Sequence, residues 1–303
     1  MDPRFRGDDE HSEVAYGMPE TLTAHDALTD AVARKEASLE AWLREHHRVA
    51  IGYSGGVDSA YLAVVAREVL GADDVLAIIG RSASYPAAQW EAARNVATSF
   101  DVPVLELDTD ELNDPRYAAN PSNRCYFCKT ELWSKLVPLA RAKGFETVVD
   151  GTNADDLADY RPGAQAAKEH RISSPLAELG FTKAEIRECS RARGIPTWSQ
   201  PSSPCLSSRL PYGTSVTAAR LLKVEEAERS LRALGIADDL RVRYHDDLAR
   251  IELSQDALAT WMRPEKFAEL RTAVTDAGFA RVAVDVRGFR SGSLNVLHGV
   301  PGA

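Results

Sequence analysis

Cysteine is scarce in this 303-residue sequence, and long apolar segments are missing. The four cysteines are too few and too unevenly placed for a disulfide framework, so we expect a reducing, cytoplasmic setting. They are Cys125, Cys128, Cys189 and Cys205. No run of about 18 apolar residues occurs. The first residues are charged and polar, where a secretory signal has a basic and then an apolar region. The sequence therefore predicts neither a membrane span nor a signal peptide.

Positive charge is also in deficit. Lys and Arg number 36 against 45 Asp and Glu, which gives a formal net charge of -9. Nucleic-acid binding depends on cations that neutralise phosphates, so this balance opposes a nucleic-acid partner. The hydrophobic content of 44% and charged content of 27% are ordinary for a globular protein. The length predicts about two domains.

The order of predicted elements indicates an α/β fold. The first fifteen or so residues are polar and lack an apolar period, and we expect a disordered leader over residues 1–24. Short apolar runs then alternate with helical patterns, which predicts a first domain, residues 25–205, built on a doubly wound parallel sheet. The predicted strands are 49–53, 75–79, 102–107 and 147–150, and the helices between them end at Leu70 or span 86–99 and 131–143.

A stretch rich in serine and proline, from Thr197 to Thr214, predicts an ordered loop into a second, smaller α/β domain, residues 206–303. Its predicted elements are a helix at 218–234, strands at 240–244 and 249–253, a helix at 264–277 and a strand at 281–286. The helix before this loop has a complete start signal, with Thr182 as N-cap and Glu185 at the capping-box position. Gly194 marks its end.

The sequence Ser54-Gly55-Gly56-Val57-Asp58-Ser59 lies where a predicted strand turns into a helix. Backbone N–H groups and the positive end of the helix dipole converge there, which suits a phosphate. The glycines permit close approach, the serine hydroxyls add donors, and Asp58 suits a magnesium ion on the phosphates. The motif matches neither Walker A, since no lysine follows the glycines, nor the dinucleotide fingerprint. A chance glycine turn is the alternative.

Cys125 and Cys128 form a C-x-x-C pair, and Cys205 follows far downstream. Two thiolates at this spacing can share one metal centre with a third from another loop, which leaves one iron site open. A thioredoxin-like dithiol competes, but Cys125 does not follow a first strand. A four-thiolate zinc site would need a fourth ligand. Cys189 lies on the apolar side of the capped helix, which predicts a buried structural cysteine.

The glycine-rich motif resembles the PP-loop of N-type ATP pyrophosphatases, which cleave ATP between the α and β phosphates. With further segments it resembles the LarE family of ATP-dependent sulfur transferases, in order from about Leu39 to Asn295. The segments are SGGVDS, NPSNRCYFCK, DGTNADDLADYRPG, SPLAELGFTKAEIR, PCLSSR with PYG after it, and GFRSGSLN.

This resemblance implies a substrate and cofactors. ATP and Mg²⁺ would bind at Ser54, Gly55, Gly56, Asp58 and Ser59. The substrate would be a small nucleotide, a pyridinium biscarboxylate mononucleotide, whose carboxylates are adenylated and converted to thiocarboxylates during synthesis of the nickel-pincer nucleotide cofactor. The C-terminal domain would bind substrate and form a homo-oligomer, which is a hexamer in family members. The sequence does not identify the sulfur donor.

The family delivers sulfur in two ways. In one, a lone cysteine at the place of Cys205 gives up its own sulfur and becomes dehydroalanine. In the other, three cysteines at the places of Cys125, Cys128 and Cys205 hold a [4Fe-4S] cluster whose open iron carries an extra sulfide. All three are present, which favours the cluster mode. The resemblance thus implies these three cysteines and Asp58 as catalytic residues.

Charged residues outside these motifs are candidates for substrate binding. Asp156 follows a predicted strand and suits magnesium or substrate, with an acidic turn that caps helices as the alternative. Arg241 and Arg243 alternate on a strand and share a face that suits a phosphate, with a solvated face as the alternative. The resemblance favours function for both sets. Further candidates are Arg209 in PCLSSR and Arg290 with Ser291 and Ser293. No ligand spacing links His170, His245 and His298, which we predict at the surface.

Three other functions stay open. A tRNA thiolase also joins a PP-loop to cysteines, but the acidic charge opposes it. An amidating ligase of the NAD-synthetase type has no use for three positioned cysteines. A non-catalytic nucleotide-binding regulator would not need Asp58 and Ser59.

Overall fold

A computed structural model of the chain describes residues 29–158, 161–201 and 203–290. A four-stranded parallel sheet lies in its first part, in the order β3–β2–β1–β4. The strands are β1 Val49–Gly52, β2 Val75–Arg81, β3 Val104–Asp108 and β4 Thr147–Asp150. The switch in strand order falls between β1 and β4, so the loops that follow these two strands border the crevice where open α/β sheets bind ligands.

Successive residues of these strands face two different cores. Val49 and Ile51 of β1 pack in one core, whereas Ala50 between them packs in another. Helices on opposite faces of the sheet complete each core, as the period of two in a strand requires. The predicted doubly wound α/β fold is therefore confirmed. The helices of this part are α1 Asp30–His46, α2 Val57–Leu70, α3 Ala87–Ser99, α4 Pro115–Ala118, α5 Arg124–Ala142, α6 Pro162–Glu169, α7 Pro175–Glu178 and α8 Lys183–Ala192.

The helix predicted at 131–143 begins earlier than expected, at Arg124, and carries both cysteines of the C-x-x-C pair. Its first turn shows no single apolar stripe because neighbouring side chains enter different cores. Tyr126 packs with the core on one face of the first sheet, whereas Phe127 and Cys128 pack against the core of the second sheet. A pattern search for one buried helix face therefore misses this turn.

The second part of the chain forms a three-stranded sheet in the order β5–β6–β7. The strands are β5 Leu240–His245, β6 Leu248–Leu253 and β7 Arg281–Val284, and the helices are α9 Ala218–Ala233, α10 Gln255–Trp261 and α11 Pro264–Asp276. β5 and β6 are antiparallel, whereas β6 and β7 are parallel. The predicted elements are all present, and only α10 was not expected.

The second sheet has its own apolar core, and that core reaches back into the first part of the chain. Leu206 and Leu210 belong to it, as does Tyr117 from α4, far upstream. The domain boundary predicted after Cys205 stays a prediction. Several predictions concern residues outside the described ranges: the leader at residues 1–24, and the residues Ser291, Ser293 and His298. Within the described ranges, no helix combines the length and apolarity that a membrane crossing requires.

Candidate active site

The glycine-rich loop connects β1 to α2, as the sequence predicts. Gly55 has a positive φ of 66°, a conformation that L side chains rarely adopt. A Cβ on Gly55 would lie 2.8 Å from Ala93 Cα on α3 and closer still to its Cβ. Gly56 is the N-cap of α2 and offers no side-chain cap. The N-cap residue therefore has no side chain to cap the backbone N–H groups at the start of α2, and a helix start of this kind suits an anion.

The two serines of the loop are bonded to each other. Ser54 Oγ and Ser59 Oγ are 3.1 Å apart, and the Ser54 N–H donates to Ser59 Oγ at 3.2 Å. From α3 and the residues before it, Tyr85 Oη and Gln89 Nε2 donate to the Ser54 carbonyl at 2.8 and 3.1 Å. These bonds fix the loop before any ligand arrives.

Asp58, in the first turn of α2, is paired with a lysine from α8. Lys183 Nζ lies 2.5 Å from Asp58 Oδ2. The other carboxylate oxygen, Oδ1, is buried and has no hydrogen-bond partner in the described part of the chain. Such an oxygen is available to a ligand such as Mg²⁺.

The capping box predicted for α8 is present and places this lysine. Thr182 Oγ1 accepts from the Glu185 N–H at 3.3 Å, and Glu185 Oε2 accepts from the Thr182 N–H at 2.8 Å. Lys183 is the first residue of α8, and its N–H donates to Asp155 Oδ2 at 2.8 Å. The helix start therefore holds the backbone of Lys183 beside the phosphate loop.

The loop after β4 lies against the phosphate loop. A Cβ on Gly151 would come within 2.8 Å of the Ser59 nitrogen, so this contact needs glycine. Asp150 Oδ1 accepts from Thr152 N–H and Ser174 Oγ. The predicted binding residue Asp156 pairs with Arg161 at 2.6 Å. Burial raises the pKa of Asp156, and Arg161 opposes that shift. Asp150 therefore makes the hydrogen bonds of an acidic turn, and Asp156 is held in an ion pair. Both observations agree with the alternative interpretation, an acidic turn with a structural role.

A cavity of about 570 Å³ opens beside the phosphate loop, at the carboxyl ends of β2 and β3. Trp90 forms part of its wall, flanked by the guanidinium carbons of Arg81 and Arg94 at 5.2 and 5.1 Å from the ring centroid. Its lining residues are Arg81, Ser82, Ala83, Tyr85, Ala87, Trp90, Asp108 and Thr109. The shape and aromatic wall suit a nucleotide base next to its phosphates.

The three cysteines of interest lie on two segments, α5 and the loop before residue 206, and their thiols are near enough to interact electrostatically. Cys125 is an exposed residue. Burial of its thiol nevertheless raises its pKa, and Arg124 opposes this shift. Burial raises the pKa of Cys128 well above its ordinary value, with Glu111, Cys205 and Cys125 adding to the effect. Cys205 is among the groups that raise the pKa of Cys125 and of Cys128. Cys189 is fully buried elsewhere, in the core beside α1 and α2, as predicted.

Three buried arginines hold the loop that carries Cys205 through its backbone carbonyls. Arg124 donates to Ser207 O at 3.1 Å, Arg243 to Ser208 O at 2.9 Å, and Arg209 to Cys205 O at 3.1 Å. The three side chains come from α5, β5 and the loop itself. The conformation of the loop is therefore set by cations from both parts of the chain.

The same loop is bonded to Ser84, which lies between two residues of the cavity wall, Ala83 and Tyr85. The Leu206 N–H donates to the Ser84 carbonyl at 2.8 Å, and Ser84 Oγ lies 2.8 Å from Ser82 Oγ in the cavity wall. Ser84 Oγ also donates to the buried carboxylate of Glu111 at 2.9 Å. A short polar chain thus runs from the cavity to the neighbourhood of the cysteines.

The remaining predicted residues occupy different environments. Arg241 and Arg243 are both buried, so the alternative of a solvated strand face is wrong. Burial lowers the pKa of Arg241 to about 10, and Arg209 adds to this shift. Arg243 pairs with Glu252 at 2.8 Å. Arg290 is exposed. His170 and His245 are half-buried, so the prediction that they are surface residues is only partly correct.

Sequence reasoning missed two residues of the site, Lys183 and Arg124. Each stands beside a residue that was singled out, Lys183 after the N-cap Thr182 and Arg124 before Cys125. A cation adjacent to a motif is a weak signal, because most lysines and arginines are solvated surface residues. In the described ranges, no three His, Cys, Asp or Glu side chains are arranged as ligands of one metal ion.

Comparison with known proteins agrees with the fold and shows the family. A family model described as NAD synthase matches residues 29–121. An uncharacterized protein of Synechocystis sp. is 45% identical over 261 residues, 86% of this chain and 97% of that protein. A pyridinium-3,5-bisthiocarboxylic acid mononucleotide synthase of Lactiplantibacillus plantarum is 34% identical over 264 residues, 87% of this chain and 95% of that enzyme. An uncharacterized protein of Methanocaldococcus jannaschii is 28% identical over 251 residues, 82% and 92% of the two chains.

The doubly wound sheet with its phosphate loop defines an enzyme of the PP-loop ATP pyrophosphatase class. Similarity to the Lactiplantibacillus synthase extends over nearly the whole of both chains. The chain belongs to the LarE family of ATP-dependent sulfur transferases.

Proposed function

We propose that this enzyme adenylates the carboxylates of a pyridinium biscarboxylate mononucleotide and converts them to thiocarboxylates, as a step of nickel-pincer nucleotide cofactor synthesis. The observation that carries the proposal is the bond between the Leu206 N–H and the Ser84 carbonyl. It joins the loop of the candidate sulfur residue Cys205 to Ser84, which lies between the cavity-lining residues Ala83 and Tyr85. An adenylated carboxylate formed at the cavity would therefore lie near the sulfur source. The name of the Lactiplantibacillus relative supports the substrate.

Adenylation is the first half-reaction. ATP would bind with its base in the cavity by Trp90 and its phosphates at Ser54–Ser59, where N–H groups and the helix dipole attract anions. A carboxylate oxygen of the substrate attacks the α phosphorus, and pyrophosphate leaves. The buried, unpartnered Oδ1 of Asp58 fits a role as Mg²⁺ ligand. When bound, Mg²⁺ supplies charge that stabilises the phosphates.

Substrate binding would involve the arginines of the second sheet. Arg241 and Arg243 lie two residues apart on β5 and are buried, which favours a phosphate over water as an additional partner. Arg209 and Arg243 also position the Cys205 loop, so their loss would affect sulfur transfer and binding together. Arg290 and Asp156 complete the proposed set, Arg290 from an exposed position and Asp156 from beside the phosphate loop.

Sulfur delivery would use Cys125, Cys128 and Cys205 as ligands of a [4Fe-4S] cluster. The donor type fits, since thiolates are the ligands of such clusters, and Cys205 is close enough to raise the pKa of both Cys125 and Cys128. The buried guanidinium of Arg124 lies near Cys205 and Cys125 and would offset the negative charge of thiolate ligands there. If bound by three protein ligands, such a cluster would supply an iron that could carry a transferable sulfide. Donation of the sulfur of Cys205 itself is the alternative that the final experiment tests.

The cellular setting and assembly follow from the same proposal. Free thiols and a cluster with an open iron both require a reducing compartment, so we place the enzyme in the cytoplasm. We also propose a homo-oligomer, a hexamer by family resemblance. Light scattering on the purified protein, performed without oxygen, measures its mass directly.

The adenylation step is tested by pyrophosphate release with ATP and the biscarboxylate nucleotide. Asp58→Asn should reduce release by about 100-fold or more, because it removes charge aimed at the phosphates and their metal. Asp74→Asn is the matched control, since Asp74 is also in an ion pair, with Arg48 at 2.8 Å, but lies at the opposite end of β2. Release at the wild-type rate in Asp58→Asn would contradict the proposed function.

A further inference from the structure

Lys183 contacts one carboxylate oxygen of Asp58, and the other oxygen of the same carboxylate is the candidate Mg²⁺ ligand. Its ammonium contacts Asp58 Oδ2 at 2.5 Å, and the side chains of Lys183 and Asp58 are 34% and 19% exposed. The backbone of Lys183 is fixed by the capping box and by the bond from its N–H to Asp155. Only the flexible four-carbon side chain of Lys183 can change position without moving α8.

Two cations bound to the same carboxylate repel each other. A magnesium ion on Asp58 would stand close to the ammonium of Lys183, and like charges at that range repel. The first turn of α2, which carries Asp58, is also where the phosphates are expected. A bound triphosphate therefore offers Lys183 a second anionic partner within reach of the same side chain.

We propose that Lys183 and Mg²⁺ exchange at Asp58. Without nucleotide, Lys183 neutralises Asp58; when Mg²⁺ and ATP bind, the metal takes the carboxylate and the ammonium moves to the phosphates. This inference rests on the proposed function, because it assigns a role in the adenylation step. Lys183 thereby becomes a catalytic residue that contacts the leaving group.

The chemical step balances with this assignment. A carboxylate oxygen of the substrate forms a bond to the α phosphorus of ATP. The bond from that phosphorus to the bridging oxygen breaks, and the electron pair leaves on pyrophosphate. No proton or redox partner is required. Negative charge grows on the pyrophosphate, and the ammonium of Lys183 stabilises it there.

The test compares Lys183→Met with Lys35→Met. Lys35 is a matched control because it pairs, at 2.7 Å, with Glu185 of α8, the helix that also carries Lys183. The side chains of Lys35 and Glu185 are 29% and 21% exposed, close to the values for Lys183 and Asp58. Two quantities are measured for each variant: pyrophosphate release, and binding of Mn²⁺ at a fixed, saturating concentration of α,β-methylene-ATP. The second measurement requires no turnover.

In Lys183→Met we expect pyrophosphate release to fall by about 100-fold. The Mn²⁺ concentration for half-saturation should also fall, by roughly fivefold, because the competing cation is gone. Lys35→Met should leave both within about twofold of wild type. This combination supports the exchange, since a merely structural ion pair would not make the metal bind more tightly.

Unchanged or weaker Mn²⁺ binding in Lys183→Met would overturn the exchange, whatever the rate. The same holds if Lys35→Met reproduces both effects, because loosening of α8 would then explain them. Failure of the proposed function is distinguishable: wild-type protein would bind Mn²⁺ and the ATP analogue but release no pyrophosphate. The metal-binding measurement would still decide the exchange of Lys183 at Asp58.

Discussion

Arg209 and Glu228 form a two-point ion pair beneath the loop that carries Cys205. The Nε and Nη2 atoms of Arg209 lie 2.9 and 3.0 Å from the two carboxylate oxygens of Glu228 on α9. The same guanidinium donates to the carbonyl of Cys205. Only 2% of the Arg209 side chain is exposed, so water competes little for these bonds.

This pair gives a first prediction. Glu228→Gln leaves the buried charge of Arg209 without its counter-ion and should cost about 3 kcal/mol in the free energy of unfolding. Amide hydrogen exchange at residues 204–209 should become faster, because the loop loses one of its anchors. Urea denaturation and exchange mass spectrometry measure the two effects.

The control for that experiment is Asp247→Asn, which breaks a solvent-exposed pair with Arg281 whose side chains are 66% and 52% exposed. It should cost less than about 1 kcal/mol and leave the Cys205 loop unchanged. Similar losses in the two variants would mean that the buried pair does not anchor the loop.

Gly55→Ala should abolish ATP binding. Its positive φ and the overlap of a new Cβ with Ala93 both oppose the native loop. Gly71→Ala is the matched control, because Gly71 also has a positive φ, of 88°, but open space around it. It should cost about 1 kcal/mol of stability and leave nucleotide affinity intact. Calorimetric titration with ATP checks both, and wild-type affinity in Gly55→Ala would argue against a phosphate site.

Cys189→Ala should keep iron and activity. The residue is fully buried in the core that includes Tyr61, and its loss should cost about 1 kcal/mol through packing. Iron content after anaerobic purification, with urea denaturation alongside, measures the outcome. If the wild-type protein contains iron and this variant loses it, the proposed set of cluster ligands is wrong.

Asp285 should make stability depend on pH in the acid range. Side-chain bonds from Arg287 are the main cause that lowers the pKa of Asp285 to about 2, against about 3.9 in an unfolded chain. The carboxylate therefore stabilises the fold fully above about pH 4, and this contribution is lost as the pH falls toward 2. The difference in urea midpoint between wild type and Asp285→Asn should narrow from pH 7 to pH 3. A constant or widening difference would contradict the assignment.

The fold was largely predictable because its signals are local. The strand, glycine turn and helix at Ser54–Ser59 use backbone chemistry that six consecutive residues specify. The capping box of Thr182 and Glu185 is specified by four. Alternating strands and helices then leave few possible topologies, and the doubly wound sheet is the common one.

The electrostatic part of the site was not predictable in the same way. Lys183 meets Asp58 across 125 positions of sequence, and Arg243 meets Ser208 across 35. Such pairs are decided by tertiary packing, for which a lone charged residue gives no sequence signal. The first turn of α5 was missed for a related reason, since its side chains serve two cores and show no single period.

The mass of the peptide that contains Cys205, after turnover of anaerobically prepared, iron-replete enzyme, tests the account most directly. Iron and labile sulfide are first measured to establish that a cluster is present, and thiocarboxylate product is confirmed by its own mass. If Cys125, Cys128 and Cys205 are cluster ligands, Cys205 remains cysteine, and each single change to alanine at these positions removes most of the iron. Dehydroalanine at position 205, formed in step with product, would contradict delivery by the cluster and identify Cys205 as the sulfur donor.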